Sequence, residues 1–194
     1  MIIGLCGTHG TGKTTILQAA KDSGSIVNES QLSRTAQKAL GWEKLSIAGH
    51  SSSNMWALQN AILEAMFDRD QEILASGQLT VCERTPADVW AYTAMWCQRL
   101  DIDTREDILA IRYKAICRDM ASRYTRFVVV PPVDAIPFVE EPNRADLASR
   151  RFVEQVINTF LWDGMLPTYV MTEISKIGRS AEIQCVTKLL KAQQ

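Results

Sequence analysis

Cysteine and histidine are scarce in this sequence, and their spacing forms no metal-binding or redox pattern. The 194 residues include five cysteines and two histidines, and no two cysteines form a C-x-x-C pair. An odd, unclustered set of thiols argues against both a disulfide scaffold and a zinc site. Reduced thiols are therefore expected, in a cytoplasmic protein, or in the host cytoplasm if the source is viral.

Long hydrophobic runs and an excess of one charge are also missing. No apolar run approaches the roughly 20 residues that a membrane-spanning helix needs. No signal peptide is expected, because a functional motif already occupies the N-terminus. The formal net charge of -1 gives no general attraction to nucleic acid or to an acidic membrane surface, although it excludes neither. No membrane partner is predicted.

Repeats, low-complexity segments and linkers do not occur either. The hydrophobic content of 46% and the charged content of 22% are typical of a globular protein. A chain of 194 residues is long enough to bury one full hydrophobic core. These properties predict a single domain over residues 1–194.

The segment GTHGTGKTT at residues 7–15 is the most informative in the chain, because it fits the pattern G-x-x-x-x-G-K-[ST]. In such a phosphate-binding loop, or P-loop, the glycines let backbone N–H groups turn towards phosphate oxygens. Lys13 then reaches the terminal phosphates and the Thr14 hydroxyl binds Mg²⁺. His9 stands at a variable position and is interpreted as filler. The predicted nucleotide-binding residues of the loop are Gly7, Thr8, His9, Gly10, Thr11, Gly12, Lys13, Thr14 and Thr15.

Short apolar runs alternate with longer helical patterns along the whole chain. The runs MIIGLCG, SIVNE, QLTVCE, RFVVVPP and TYVMTE are predicted to be strands. Helices are predicted near residues 13–22, 30–40, 54–76, 86–98, 105–124, 145–162 and 179–191. This alternation predicts an α/β fold of three layers, with a parallel sheet covered by helices on both faces. Ligands of such sheets bind beyond the carboxyl ends of the strands.

Charged residues follow the predicted third strand in the segment VCERTPADVWAY. Thr85 and Pro86, with Asp88 three residues after Thr85, form a helix-capping pattern, although Asp88 is also a candidate substrate ligand. Glu83 and Arg84 precede the cap. An acid followed by arginine at this edge suits a Mg²⁺ ligand beside a phosphate or sugar clamp. A plain ion pair between the two is the alternative.

Glu29 follows the predicted second strand and precedes a helix that carries Arg34. A general base that takes a proton from an attacking hydroxyl belongs in this place, and Arg34 is a candidate substrate ligand. A carboxylate at such a position can equally be a solvated turn residue or part of a helix start.

Two further segments carry candidate arginines. In EEPNRADLASRRF, Arg144 and Arg151 lie seven residues apart on one face of a predicted helix, and Arg150 can pair with Asp146. This segment is interpreted either as a lid that closes over a transferring phosphoryl group or as a salt-bridged surface helix. In GRSAEI, Arg179 is a candidate for stacking on an adenine ring from a loop.

Taken together, these segments resemble the P-loop nucleoside and nucleotide kinases, especially the thymidylate-kinase-like and ribosylnicotinamide-kinase-like groups of bacteria and phages. GTHGTGKTT matches their phosphate loop, VNESQLSR resembles their second-strand acid and arginine, and VCERTPADVWAY resembles their acid–arginine pair. PFVEEPNRADLASRR is similar to their lid, here about residues 134–152, but lacks the acidic-Gly-x-Arg pattern more usual there.

The resemblance implies a five-stranded parallel sheet with a helical lid, ATP with Mg²⁺, and a hydroxyl or phosphate acceptor. By residue, it makes Lys13 the phosphate anchor and Thr14 the metal anchor. It makes Glu29 the base, Glu83 a metal-shell or sugar ligand and Arg84 the acceptor clamp. Arg144 and Arg151 become the lid cations. Relatives often form homodimers through helices like residues 54–76.

Three functions remain open from the sequence. The first is transfer of the γ-phosphoryl group of ATP to a nucleoside or a nucleoside monophosphate. The second is a phage-type kinase whose acceptor is the hydroxyl of 5-hydroxymethyluracil in DNA. It is favoured by arginines at 105, 112, 123 and 126 if they share one face of a continuous helix. The third is an NTPase switch, although no N-K-x-D or D-x-x-G motif of such proteins is found.

Overall fold

The computed structural model describes residues 1–29, 31–44, 51–132, 146–172 and 176–192. Strands and helices alternate through these residues as the hydrophobic pattern predicts. The five strands are β1 Ile2–Cys6, β2 Ile26–Asn28, β3 Thr80–Glu83, β4 Arg126–Val129 and β5 Thr168–Val170. The helices are α1 Lys13–Asp22, α2 Leu32–Ala39, α3 Ser52–Ser76, α4 Pro86–Arg99, α5 Ile108–Ala121, α6 Leu147–Asp163 and α7 Lys176–Lys191.

The strands form one parallel sheet in the order β2-β3-β1-β4-β5. The central strand β1 pairs with β3, where Ile3 lies opposite Val81, and with β4, where Leu5 lies opposite Val128. Every residue of β1 is buried, which explains its unbroken apolar sequence, since a central parallel strand is covered on both faces. The predicted α/β fold with a five-stranded parallel sheet is confirmed.

Two hydrophobic cores lie on opposite faces of this sheet. Successive side chains of a strand point to opposite faces, so Ile2 and Cys6 join one core while Ile3 and Leu5 join the other. The first core is built with α2, α3, α4, α5 and α6, and the second with α1 and α7. The sheet is therefore the middle layer of three.

Gly4 sits in β1 where two other segments come close. A Cβ atom at this position would lie 2.5 Å from Thr85 Cγ2 and 2.9 Å from the ring of Tyr124. The absent side chain lets the turn after β3 and Tyr124, which lies two residues before β4, pack directly on the central strand.

Helix α5 is shorter than the predicted helix over residues 105–124. Asp107 caps its first turn by accepting a hydrogen bond from the backbone N–H of Ala110 at 2.9 Å, and the helix ends at Ala121. Arg105 therefore precedes the helix, while Arg123 and Arg126 follow it. The predicted arginine face on one continuous helix is wrong, because capping at both ends limits the helix to the segment between them.

No helix among the described residues is long and apolar enough to cross a membrane. The five cysteines are free thiols, four of them buried and one exposed, as the sequence predicts.

Candidate active site

The segment from Gly7 to Gly12 connects the end of β1 to the start of α1. Gly7 has φ 144° and Gly12 has φ 86°, values that residues with a Cβ rarely adopt. A Cβ atom on Gly7 would lie 2.5 Å from the carbonyl oxygen of Val130. Glycine therefore suits both positions of the loop, and at Gly7 a side chain would also collide with the backbone of Val130.

Lys13, the first residue of α1, turns its side chain back over the loop. Its Nζ donates hydrogen bonds to the carbonyl oxygens of Gly7 at 2.8 Å and Thr8 at 2.6 Å. Burial is the main cause that lowers the pKa of Lys13, and together with the positive charge of Arg84 it brings this pKa to about 8, although Asp88 and Glu83 oppose the shift. An anion bound at this loop would stabilise the charged form of the lysine.

Thr14 and Glu83 meet at the carboxyl edge of the sheet. The Thr14 hydroxyl donates to Glu83 Oε2 at 3.4 Å, so the structure brings together the two residues predicted as metal ligands. Both offer oxygen atoms, the donors that Mg²⁺ prefers. No group of three or more His, Cys, Asp or Glu side chains that could hold a metal occurs in the described part of the chain. A Mg²⁺ ion here would need further oxygens from water and phosphate.

The carboxylate of Asp88 is completely buried beneath the loop. Its Oδ1 accepts the backbone N–H of Gly7 at 3.0 Å. Its Oδ2 accepts the N–H and the hydroxyl of Thr85, both at 2.8 Å. The predicted capping box at the start of α4 is confirmed. The prediction of Asp88 as a substrate ligand is wrong, because both of its oxygens face donors inside the protein.

Arg84 approaches the phosphate loop from the end of β3. One of its guanidinium nitrogens lies 3.4 Å from His9 Nδ1, and its Cζ lies 5.3 Å from the centre of the Tyr92 ring. The rings of His9 and Tyr92 are also in contact, with 4.9 Å between their centroids. The interpretation of His9 as filler is therefore wrong, since it links the loop to Arg84.

Arg150, and not its neighbour Arg151, reaches the phosphate loop from α6. Arg150 is only 4% exposed, and its Nε donates to the hydroxyl of Thr8 at 3.1 Å. Arg151 is exposed and lines an open groove formed by residues of α6 itself. The expected pairing of Arg150 with Asp146 does not occur through the carboxylate, which accepts the N–H of Ser149 at 2.7 Å and caps the helix.

The other predicted lid cation, Arg144, lies outside the described residues, as does most of the lid segment at about residues 134–152. A lid role for Arg151 finds no support in its position on the surface of α6. The arginine that contacts the loop is therefore the immediate neighbour of the one predicted from the sequence.

Arg179 lies inside helix α7 and is fully buried. Its guanidinium donates to the carbonyl oxygen of Thr11 at 3.0 Å and to that of Pro131 at 2.6 Å. The prediction that GRSAEI forms a loop with Arg179 stacked on adenine is wrong. The segment is helical, and the guanidinium connects the phosphate loop to the chain that follows β4.

Glu29 reaches the same sheet edge by its backbone but turns its side chain outward. Asn28 pairs with Cys82 across β2 and β3, so Glu29 lies beside Glu83. Its carboxylate accepts a hydrogen bond from Lys21 at 2.8 Å, and both side chains are about half exposed. Arg34 is exposed and donates to Gln31 at 2.8 Å, so it does not join the site.

Thr14 and Thr15 line an open groove between α1 and α7, together with Gln18 and Ser180. The remaining loop threonines face inward, since Thr8 and Thr11 are both buried and the Thr11 hydroxyl donates to the carbonyl of Thr8 at 3.2 Å. The threonines at the start of α1 therefore line a surface groove, whereas those earlier in the loop are buried.

A parallel sheet whose central strand leads through a glycine-rich loop into a helix defines a P-loop nucleotide-binding protein. The AAA domain family matches residues 2–171 of the chain. The protein therefore belongs to this family.

Two solved structures of similar fold are nucleoside and nucleotide kinases. The deoxyadenosine kinase from M. mycoides, with products dCMP and dCDP bound, has a TM-score of 0.65 at 13% identity, over 98% of this chain and 100% of that one. The thymidylate kinase from Ehrlichia chaffeensis has a TM-score of 0.60 at 15% identity, over 100% of this chain and 98% of that one. The resemblance to P-loop kinases is thus confirmed at the level of the fold. No curated protein matches the sequence significantly.

We expect Asp88→Asn to lower the free energy of unfolding by about 1–3 kcal/mol. An amide offers one acceptor oxygen where the carboxylate offers two, so an NH₂ group must face a buried donor of Gly7 or Thr85. Urea unfolding followed by circular dichroism measures the change. The control is Asp107→Asn, because Asp107 caps α5 and asparagine caps helices about as well as aspartate. Equal losses in the two variants would contradict this role of Asp88.

Proposed function

We propose that this protein is an ATP-dependent phosphotransferase that moves the γ-phosphoryl group, with Mg²⁺, to a nucleoside or a nucleoside monophosphate. The observation that carries the proposal is the convergence of three cations on one loop. Lys13 binds its carbonyl groups, Arg150 binds Thr8, and Arg84 contacts His9. They come from three separate elements, α1, α6 and the end of β3.

Such a set of cations fits phosphoryl transfer better than nucleotide storage. The reaction moves a highly charged group between two oxygens, and catalysis is mainly positioning and stabilisation of that charge. Lys13 serves the donor phosphates from within the loop. Arg150 and Arg84 contact the loop at the adjacent residues Thr8 and His9, where they can offset charge on the transferring group and on the acceptor.

Thr14 and Glu83 are proposed to hold Mg²⁺, since they supply a hydroxyl and a carboxylate at the sheet edge. Mg²⁺ bound there would neutralise part of the charge on the donor phosphates. Arg84 is proposed to bind the acceptor, because its planar guanidinium suits a phosphate or a sugar hydroxyl. Tyr92 and His9 lie against Arg84 and fix the position of its guanidinium.

Glu29 is proposed as the general base that takes the proton of the acceptor hydroxyl. It follows the carboxyl end of β2, beside Glu83, at the edge of the sheet where the phosphate loop lies. Its partner Lys21 is about half exposed, and exposed ion pairs of this kind contribute little to stability. The carboxylate can therefore leave Lys21 for an acceptor hydroxyl at little cost.

The proposed acceptor is a small molecule and not a base in DNA. The arginines that favoured DNA do not share a helix face, and Arg105 pairs locally with Asp103 at 3.1 Å. A homodimer through α3 and the lid over about residues 134–152 remain predictions from the resemblance. The first experiment also distinguishes a DNA acceptor and an NTPase switch from the proposed function.

The first test supplies γ-labelled ATP and Mg²⁺ with either nucleosides and their monophosphates or oligonucleotides containing ordinary and hydroxymethylated pyrimidines. We expect label on a nucleoside or a monophosphate. Lys13→Ala should lower the transfer rate at least about 100-fold, because it removes a preorganised charge at the phosphates. Circular dichroism checks that this variant remains folded.

Label on the oligonucleotides alone would make the protein a DNA-base kinase, and release of free phosphate alone would favour an NTPase switch. Undiminished transfer by Lys13→Ala would remove the loop from the mechanism.

A second test compares two neighbouring arginines of α6. Arg150→Gln should lower kcat about 10- to 1,000-fold, because its guanidinium lies at the phosphate loop. Arg151→Gln should change kcat by less than about twofold, since exposed charges contribute little. Steady-state kinetics with saturating ATP measures both. A loss in Arg151→Gln that equals the loss in Arg150→Gln would refute the assignment of Arg150.

A third test concerns the base. Glu29→Gln should lower the transfer rate by about 10²–10⁴, the contribution expected of a general base. Lys21→Gln is the control, since it breaks the same ion pair but keeps the carboxylate, and its rate should stay near that of the wild type. If Glu29→Gln retains a normal rate, the role passes to Glu83 or to no residue.

A further inference from the structure

The turn that carries Glu83 and Arg84 has a strained backbone. β3 ends at Glu83 and α4 begins at Pro86, so only Arg84 and Thr85 lie between the strand and the helix. Arg84 has φ 65°, a left-handed conformation that is unfavourable for a residue with a Cβ. Such strain persists only where surrounding contacts hold it.

The contacts that hold this turn come from Arg69 on helix α3. One of its guanidinium nitrogens donates to the carbonyl oxygen of Glu83 and to that of Arg84, each at 3.0 Å. Both carbonyls belong to the strained turn, and a single planar group binds them together. Arg69 is only 5% exposed, so these hydrogen bonds form away from water.

Arg69 is itself fixed by two buried partners. It donates to Asp70 Oδ1 at 2.9 and 2.7 Å and to the Tyr124 hydroxyl at 2.7 Å. The Tyr124 hydroxyl in turn donates to Asp70 Oδ2 at 2.9 Å. All three guanidinium nitrogens thus donate hydrogen bonds, to the turn, to Asp70 and to Tyr124.

The ring of Tyr124 anchors this group to the sheet. It stacks on Phe127 of β4 with 5.0 Å between ring centroids, and it lies so close to Gly4 that a Cβ there would approach its ring to 2.9 Å. The network of Arg69, Asp70 and Tyr124, named here the Arg69 brace, therefore connects α3, β1 and β4 to the turn after β3.

We propose that Arg69 is a positioning residue for the acceptor side of the site, acting through the Arg69 brace on Glu83 and Arg84. The proposal rests on the proposed function, because it assigns the acceptor to Arg84. Buried ion pairs are weak evidence for stability, since desolvation offsets much of their attraction. Arg69 also donates hydrogen bonds to the carbonyl oxygens of Glu83 and Arg84. It therefore fixes the backbone of this turn, which an ion pair with Asp70 alone would not do.

The test uses two conservative variants. Arg69→Lys keeps a positive charge beside Asp70 but cannot supply the planar fork to both carbonyls. We expect kcat/KM for the acceptor to fall about 10- to 100-fold, as small misplacements of binding groups do, while KM for ATP changes less than about twofold. Tyr124→Phe, which removes only one hydroxyl of the brace, should shift the same parameters in the same direction by about threefold.

Two variants control for a general loss of stability. Tyr113→Phe removes the hydroxyl of another buried tyrosine, which donates to the carbonyl of Gln59 at 2.7 Å. Arg118→Lys changes an arginine that pairs with Asp163 at the surface. Neither should alter kcat/KM for the acceptor. A purely structural role of Arg69 would lower the active fraction and leave both KM values unchanged, and that result would overturn the proposal.

Hydrogen exchange followed by mass spectrometry gives a readout that does not depend on activity. In Tyr124→Phe, a peptide covering residues 82–88 should exchange faster than in the wild type and in Tyr113→Phe. An unchanged exchange rate would refute the role of the Arg69 brace in holding this turn, regardless of the kinetic results. If the wild type transfers no phosphoryl group to any acceptor, the proposed function fails, whereas the exchange result still decides whether the brace holds the turn.

Discussion

The carboxylate of Asp88 joins segments that are distant in the sequence, and the site depends on that junction. A glycine-rich loop has little intrinsic preference for one conformation, and here its first N–H is bound by Asp88 Oδ1. The second oxygen of the same carboxylate binds the turn after β3 through Thr85. The phosphate loop, the turn and the start of α4 are therefore fixed relative to one another before any ligand arrives.

Helices on both faces of the sheet hold the same loop. Arg150 of α6 binds Thr8 from one face, and Arg179 of α7 binds the carbonyl of Thr11 from the other. This arrangement follows from the parallel sheet, since the carboxyl end of its central strand opens between the two helical layers. Positive groups outnumber negative ones around the loop, which suits a polyphosphate ligand. The groups are Lys13, Arg84, Arg150 and Arg179 against Glu83 and Asp88.

The sequence predicts features that are fixed by neighbouring residues in the chain. Apolar runs identify the five strands, the spacing of Gly7 and Lys13 identifies the loop, and Thr85 with Asp88 identifies the capping box. The rule that ligands bind beyond strand ends placed Glu83 and Arg84 correctly beside the loop. These predictions succeed because their physical causes act within a few residues.

Predictions that depend on which way a helical side chain faces were less successful. Arg150 and Arg151 are adjacent, and consecutive residues of an α-helix point about 100° apart. One therefore faces the loop and the other faces solvent, a difference that only the packing of α6 on α4 decides. Arg179 is similar, because a helix in place of the expected loop carries its guanidinium beneath the phosphate loop.

Arg69 and Asp70 show how buried charges can be recognised in a sequence. In α3 the buried positions include Met66, Arg69, Asp70 and Ile73, the i, i+3, i+4, i+7 spacing of a core-facing stripe. The flanking residues Asp68 and Gln71 are exposed. Two adjacent charges in the middle of an apolar stripe cannot be solvated, so they must have partners inside the protein. Here those partners are Tyr124 and the carbonyls of the turn after β3, so the break in the apolar pattern marks where the core reaches the candidate site.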